Sequence, residues 1–289
     1  MKKRILSVLA MFLLNIPAIG IAATVGNIAE VNSNAGKFTL AMEYDKAYNR
    51  DFTKRKDGSV SWWWIGIVNW NSASLSPTYI EAEFDRIFLK VNLALHPHVN
   101  LYIKSGLGKA NLKYKAVVNY TPGTPEFEAD SGWDFIWGAG IKSKIAEIFG
   151  LKLLADVQYT IYDSDADVKI DGMNFDDFMN VIALDDFSSH AHFEVREWHA
   201  ALYVTKNLDG VTPYGGVKYS DARIKHDIYG REMSGDIHNF HQGIDVEAKD
   251  NVGLFVGADF EVIPGRLNVS VEGRFIDETA ATIGVEYRF

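Results

Sequence analysis

Apolar and polar residues alternate one by one along most of the chain, most clearly over residues 282–289. The odd-numbered positions from Ile283 to Phe289 are apolar, and the even-numbered positions are polar or glycine. Because successive side chains of a β-strand point to opposite faces, this alternation predicts a strand with one apolar face. Alternation alone does not separate a half-buried strand of a soluble sheet from a lipid-facing strand of a membrane barrel.

Similar segments recur along the chain and predict ten strands. The predicted strands cover residues 36–49, 78–95, 99–116, 130–146, 151–163, 190–205, 212–226, 250–263, 266–277 and 279–289. The second, fourth, sixth and eighth strands lead into short links with Gly or Pro, which supply the backbone angles of tight turns. The intervening links are long, except the last one at 277–278, and lie at residues 50–77, 117–129, 164–189 and 227–249.

This arrangement predicts an all-β fold, an antiparallel up-and-down transmembrane β-barrel with short periplasmic turns and long extracellular loops. In the second strand Glu81, Glu83 and Asp85 share a face with the apolar residues at 87–91, so its upper part is expected to stand above the membrane. Eight strands are one alternative to ten. Twelve strands are another, since residues 60–70 and 173–184 could supply two more.

The start of the chain predicts export. Lys2, Lys3 and Arg4 precede an apolar run that ends in small residues, which is the order of a secretory signal peptide over residues 1–23, cleaved after Ala22 or Ala23. Residues 24–35 then form an N-terminal lead, and residues 36–289 form a single barrel domain. The predicted location is the cell outer membrane of a Gram-negative bacterium.

Charge and cysteine content exclude other classes. The leader carries three positive charges and no negative ones, so its removal moves the formal net charge from −9 to −12. So acidic a chain is not expected to bind nucleic acid. The chain has no Cys, which rules out a disulfide framework.

The aromatic C-terminus, the closing hairpins from Gly253 to Phe289 and the Gly-rich segment 214–217 resemble the small outer-membrane β-barrel families of the opacity and OmpA-transmembrane type. The resemblance implies that Tyr287 and Phe289 belong to a signal read by the barrel-assembly machinery. It also implies outer-membrane lipid and lipopolysaccharide as partners. It carries no catalytic motif and leaves the oligomeric state open.

The polar strand faces carry charges of both signs, which we expect to line the lumen. These residues are Lys37, Glu43, Arg86, Lys90, Lys104, Asp134, Lys142, Lys152, Asp156, Lys218, Asp259, Glu261, Glu272, Arg274, Glu286 and Arg288. Barrels near eight strands are just wide enough for side chains to fill them, so the lumen is expected to be largely filled. A ring of one sign, which would indicate ion selectivity, is not visible.

An aromatic cluster in the first long link has two interpretations. Trp62, Trp63, Trp64 and Trp70 are typical of a membrane interface, and stacked rings of this kind also bind sugars or partners. In the third long link, residues 163–167 begin like a calcium loop. Val168 and Asn174 stand where that loop requires Gly and Glu, so a solvated acidic segment is the better interpretation.

Three histidines are the remaining candidates for chemistry. His190 and His192 on the sixth strand come near His226 on the seventh in the predicted pairing and could bind a metal or pair with Asp as acid and base. Their spacing matches no known signature, so no catalytic residue, metal or cofactor is predicted. The predicted function is a non-enzymatic outer-membrane barrel with a structural, surface-interaction or small-pore role. The alternatives are an outer-membrane protease or lipid-modifying enzyme with an extracellular His/Asp site, and a soluble periplasmic lipocalin-like barrel.

Overall fold

A computed structural model describes residues 37–63, 73–118, 124–181, 187–232 and 239–289. The predicted leader and N-terminal lead, and Trp64 and Trp70, lie outside these ranges. Within them the strands are β1 (Phe38–Trp63), β2 (Ala73–His96), β3 (Val99–Val118), β4 (Glu126–Ser131), β5 (Asp134–Ile148), β6 (Leu151–Ile170), β7 (Met173–Asn174), β8 (Phe187–Thr205), β9 (Val211–Glu232), β10 (Asn239–Ala248), β11 (Val252–Ile263), β12 (Leu267–Phe275) and β13 (Thr279–Arg288), and helix α1 is Phe175–Val181.

The strands close into an antiparallel barrel. In the part next to the short turns, the ring runs β1, β2, β3, β5, β6, β8, β9, β11, β12 and β13, and β13 pairs back to β1. The predicted ten-stranded transmembrane barrel is therefore confirmed. Three two-residue turns, at 149–150, 171–172 and 209–210, have positive φ at both residues and Gly second, which matches the right-handed twist of the strands they join.

The number of strands changes along the height of the barrel. β4 and β5 follow each other along the same two neighbours, β3 and β6, and so act as one long strand. β10 and β11 likewise follow each other along β9. β10 also pairs with β1, whereas the hairpin β12–β13 separates β11 from β1. Eight strands thus form an upper tier, and the inserted hairpin widens the lower tier to ten.

The outer face of the barrel changes from apolar to charged at one level. Outward residues change from Leu107 to Lys109 along β3 and from Ile161 to Asp163 along β6, and the same change lies between 196 and 198 on β8 and between 219 and 221 on β9. Below this level the large exposed side chains are apolar, as lipid requires. We call this level the boundary; it places the lower tier in the membrane and the upper tier in water.

The inner face changes in the opposite sense. Below the boundary the buried inward residues are largely polar or charged, whereas above it an apolar core fills the barrel. That core includes Phe52, Phe84, Leu112, Tyr114, Phe127, Phe193, Ile224 and Val246, with Phe175 and Met179 from α1. The upper tier therefore packs like a water-soluble barrel, and the lower tier like a membrane barrel. The apolar outer belt of the lower tier rules out a wholly soluble lipocalin-like protein.

The long predicted links lie on the extracellular side, but strands extend far into them. β1, β2, β6, β8 and β9 continue above the boundary because their alternation persists with polar residues outward. Residues 163–167 belong to β6, so they form no calcium loop. Residues 175–181 are helical, which removes the twelve-strand alternative for that segment. Within the described ranges no helix is long and apolar enough to cross a membrane.

Two leucines on β3 provide a matched test of the two tiers. Leu112 points inward into the upper core and is fully buried, whereas Leu107 points outward below the boundary and is half exposed. We expect Leu112→Ala to lower the free energy of unfolding by about 2–5 kcal/mol, because it leaves a cavity. Leu107→Ala leaves none and should cost clearly less. Urea unfolding of the refolded protein in detergent measures both; equal losses would contradict the packed upper core.

Candidate functional site

Most of the charges predicted to line the lumen are buried on the inward faces of the strands. These are Glu43, Arg86, Lys90, Lys104, Lys142, Asp156, Lys218, Asp259, Glu272, Arg274 and Glu286. Lys152 and Arg288 are partly exposed. Lys37, Asp134 and Glu261 are exposed, although they keep the alternation of the inward faces of their strands. Lys37 precedes β1, Asp134 begins β5 at its break from β4, and Glu261 accepts a hydrogen bond from the backbone N–H of Gly265 in the turn after β11.

Eight of the buried charges form one chain of alternating sign at the level of the boundary. In order the members are Arg50, Glu197, Arg86, Asp45, Arg274, Glu278, Lys218 and Asp277. We call this chain the charge belt. Its four carboxylates balance its four cations, and it joins β1, β2, β8, β9 and β12 through the bore.

The contacts within the belt are short and direct. Arg86 Nη1 lies 2.8 Å from Glu197 Oε2 and 3.3 Å from Asp45 Oδ2. Arg274 Nε lies 2.7 Å from Glu278 Oε1, and Lys218 also contacts that carboxylate. A buried charge without a partner is costly, so each member depends on its neighbours.

The hairpin that widens the lower tier supplies part of the belt. Its tip carries Asp277 and Glu278 into the bore, where Lys218 Nζ lies 2.6 Å from Asp277 Oδ2. Gly253 on β11 makes room for this tip, because a Cβ there would lie 1.9 Å from Asp277 Oδ1. Just above, Arg50 Nη2 donates to the Ser220 carbonyl (3.0 Å) and hydroxyl (2.8 Å), and so links β1 to β9 where the wall narrows to eight strands.

The residues predicted to line the lumen lack Asp45, Arg50, Glu197, Asp277 and Glu278. Asp45 had a usable signal, because it alternates with Tyr44. Glu197 had a usable signal, because it alternates with Trp198 and must therefore face the bore. Arg50 had none, since a register shift lies between Ala47 and Asn49 on β1, next to it. The two acidic residues of the hairpin tip looked like an exposed turn.

Below the belt the lower lumen is filled by further polar contacts. Tyr102 donates a hydrogen bond of 2.7 Å to Asp156, whose carboxylate also lies 3.8 Å from Lys142. Lys104 donates to Gln158 at 2.7 Å, and Lys90 Nζ lies 3.4 Å from Glu43. These contacts join different strands, and they pair Lys142 and Lys90 with carboxylates and Lys104 with a neutral amide.

Directly above the belt, the apolar core begins. A cavity of about 10 Å³ lies between the two, lined among others by Phe84, Arg86, Ile136 and Glu197. That volume holds about one water molecule. Phe84, Ile136 and Glu197 around this cavity are only 2–3% exposed, so at this level side chains pack the bore.

The predicted cluster of His190, His192 and His226 is wrong. His192 pairs with Asp227, so His226 lies opposite Phe193 and points to the other face of the wall. His190 and His192 point outward, and their Nε2 atoms lie 3.2 Å from Asp165 and 3.1 Å from Asp163. Within the described residues, no group of three or more His, Asp or Glu side chains is placed to hold a metal ion.

His226 is instead buried in the upper core. Its ring lies 5.3 Å from that of Phe193 and 6.3 Å from that of Tyr114, and neither ring nitrogen has a hydrogen-bond partner among the described residues. Burial, together with nearby His192, lowers the pKa of the His226 imidazole to about 3. The group is therefore neutral at physiological pH.

The other predicted residues lie at the two ends of the barrel. Tyr287 and Phe289 face outward at the periplasmic rim, where the Phe289 ring contacts that of Phe38 at 4.9 Å and that of Tyr287 at 5.1 Å. Trp62 and Trp63 lie at the extracellular end of β1, and their side chains lie outside the described part of the structure.

A family of unknown function, DUF6588, matches residues 106–289, which is more than half of the chain. The chain belongs to this family. The narrower resemblance to the opacity and OmpA-transmembrane families stays a prediction. No curated protein matches the sequence.

Several solved structures are similar to this DUF6588 protein at low identity. The outer membrane protein OprG from Pseudomonas aeruginosa is 10% identical, with a TM-score of 0.41 over 89% of this chain and 98% of OprG. The outer membrane protease OmpT from Escherichia coli is 12% identical, with a TM-score of 0.44 over 87% and 97%. The translocator domain of the autotransporter NalP from Neisseria meningitidis is 12% identical, with a TM-score of 0.40 over 90% and 91%.

Glu197 joins two arginines of the belt, Arg50 and Arg86, and gives a direct test of it. We expect Glu197→Gln to lower the free energy of unfolding by about 3–5 kcal/mol, because Arg50 and Arg86 lose a buried counter-charge. Glu128→Gln is the matched control. Glu128 lies on the water-facing wall 3.7 Å from Lys113, and removing such an exposed pair costs about 1 kcal/mol or less. Urea unfolding measures both, and equal losses would contradict a belt held by buried ion pairs.

His226 predicts a pH dependence of the upper tier. Its pKa is about 3 in the folded protein and ordinarily about 6.5 in an unfolded chain, so the unfolded state binds more protons between these values. Stability should fall as pH falls from about 6.5 towards 3. His226→Phe should weaken this fall, whereas His190→Phe on the outer wall should keep it. The midpoint of urea unfolding between pH 7 and 4 checks this, and an unchanged slope in His226→Phe would contradict it.

Proposed function

We propose that this protein is a non-enzymatic, non-conducting outer-membrane barrel that holds a rigid water-facing barrel at the cell surface as an interaction scaffold. The lower tier is the anchor, surrounded by outer-membrane lipid and lipopolysaccharide. The upper tier is the presented part. Tyr287 and Phe289 serve as the recognition signal for the barrel-assembly machinery.

The observation that carries this proposal is the apolar core directly above the charge belt. An ion or polar solute crossing the barrel would have to pass paired charges and then displace the side chains of Phe84, Leu112 and Phe193 from their packing. Disrupting a core of this kind costs several kcal/mol for each large side chain. A water-filled passage through the bore would therefore require the loss of the core that stabilises the upper tier.

The outer wall of the upper tier supports the role of a rigid scaffold. Lys109 and Asp130 lie 3.0 Å apart across β3 and β4, and Lys115 and Glu126 lie 3.4 Å apart in the same ladder. Lys46 and Asp85 form a similar pair at 2.6 Å between β1 and β2. Each exposed pair contributes little, but a ladder of opposite charges specifies register and keeps the wall soluble.

The outward His–Asp pairs do not favour an enzyme. His190, His192 and their Asp partners are 40–73% exposed on the open wall, so water surrounds them. Catalytic pairs act in clefts that exclude water and orient a substrate. A scaffold needs no such cleft.

Planar-bilayer recording tests the proposal. The refolded protein should show no conductance steps, because the bore is packed. Regular steps from the pure protein would reject the non-conducting scaffold.

Single-cysteine labelling of intact cells provides the control for location and orientation, since the chain has no Cys of its own. Asp167→Cys faces outward on the upper tier and should react with a membrane-impermeant maleimide. Ser270→Cys is buried in the lower lumen and should react only after unfolding in urea. Unlabelled Asp167→Cys would contradict surface exposure, and labelled Ser270→Cys in intact cells would contradict a closed bore.

A further inference from the structure

A groove of about 570 Å³ lies on the outer wall where the ten-stranded tier narrows to eight strands. It follows the bend at residues 249–251 between β10 and β11, just above the inserted hairpin. Its size is within the usual range of small-molecule sites, about 300–1,000 Å³. Its lining includes Tyr219, Asp221, Glu247, Lys249, Asp250 and Val252.

The groove has an apolar lower side and an acidic upper side. Tyr219 and Val252 lie below the boundary and expose 49% and 62% of their surface towards lipid. Above them, Asp221, Glu247 and Asp250 contribute carboxylates. The groove therefore lies across the plane where hydrocarbon gives way to water.

The cations near the groove already have acidic partners. Lys249 Nζ lies 3.3 Å from Asp51, and Arg55 Nε lies 3.5 Å from Glu247. The carboxylates of Asp221 and Asp250 add to the negative charge of the lining. The lining thus has three carboxylates and one ammonium group, a balance that favours a cationic ligand.

The spacing of the carboxylates favours an organic cation over a metal ion. Within the described residues no three acidic or histidine side chains are close enough to share one ion. A larger cationic head group can contact carboxylates that lie farther apart. An apolar chain attached to it would lie against Tyr219 and Val252 in the bilayer.

We propose that this groove binds an amphipathic cation, with its apolar chain in the outer leaflet and its amine or quaternary ammonium head against Asp221, Glu247 and Asp250. The inference goes beyond the scaffold role and does not depend on whether the bore conducts. It makes the protein a receptor for membrane-inserted cations at the cell surface. Both parts of the ligand are required, because each side of the groove has a different polarity.

The test uses dodecyltrimethylammonium carrying a photoreactive diazirine, and protein reconstituted in zwitterionic phosphatidylcholine vesicles. Crosslinks mapped by mass spectrometry should lie in residues 219–221 and 247–252. Unlabelled dodecyltrimethylammonium should compete. Spermidine, which has no apolar chain, and dodecanol, which has no charge, should compete at least tenfold less well.

Two variants separate the groove from the charge of the whole wall. Asp221→Asn with Glu247→Gln should weaken the apparent affinity roughly tenfold, equivalent to about 1.4 kcal/mol. Asp165→Asn with Asp167→Asn removes two outward carboxylates on β6 and should leave the affinity unchanged. A heat-dependent gel shift confirms that each variant is folded.

Several outcomes would overturn the proposal. Equal competition by spermidine would mean simple surface charge, and equal competition by dodecanol would mean simple lipid contact. Equal losses in the two double variants would mean a long-range effect of net charge. Stronger labelling of the groove by a diazirine-bearing dodecyl phosphate with Ca²⁺ would assign it to anions bridged by a divalent ion.

Discussion

The whole structure depends on one constraint: a closed barrel has only two faces, and the medium around its outer face changes from lipid to water at the boundary. At the boundary the outward residues of each long strand must change from apolar to polar, and its inward residues must change from polar to apolar. The side chains still alternate between the two faces. On β3 the outward residues change from Leu107 to Lys109, and the inward ones change from Lys104 to Leu112. Lipid does not solvate charge and water does not favour apolar surface, so the composition of every strand follows the medium.

The charge belt lies where the exchange takes place, and this position explains its chemistry. Its side chains have the apolar core above them and the lipid belt outside them, so water is largely excluded. Charges in such a place persist only with partners, and the alternating chain from Arg50 to Asp277 gives each one at least one counter-charge. The hairpin β12–β13 therefore does more than widen the lower tier. Without Asp277 and Glu278, Lys218 would lose the two carboxylates that it contacts.

The strands of the lower tier were predictable from sequence because lipid imposes a simple rule. Outward residues such as Phe38, Met42 and Trp137 are apolar in uninterrupted alternation, and the structure places them on the outer face. The upper tier was harder, because its apolar residues point inward and its polar ones outward. Over a whole strand such as β2 the two patterns combine into one face that holds both Glu83 and Leu89. Such a face of mixed polarity predicts that the upper part of the strand stands above the membrane, and the structure places Glu83 above the boundary.

The residues of the candidate site were predictable only where the alternation of side chains along a single strand was enough to place them. Lys90, Lys142 and Arg274 were placed inward by alternation alone. The predicted histidine cluster was wrong by one residue of register. His192 pairs with Asp227 and not with His226, and a shift of one position reverses the face of a side chain. The belt also needs contacts between strands far apart in sequence, such as Arg86 with Glu197. Alternation gives the face of a residue but not the strand that lies across the bore.

The interior and exterior of this barrel consequently take on different tasks. The interactions that stabilise the upper tier are the same ones that fill the bore, so stability and transport compete for the same side chains. The outer wall is free of that conflict, because its residues contribute little to the core. The inserted hairpin β12–β13, which separates β11 from β1, then changes the shape of the outer wall as well as the bore. Adding two strands below the boundary and none above it produces a step in the wall, and a step at the lipid surface is a concave site bordered by both media.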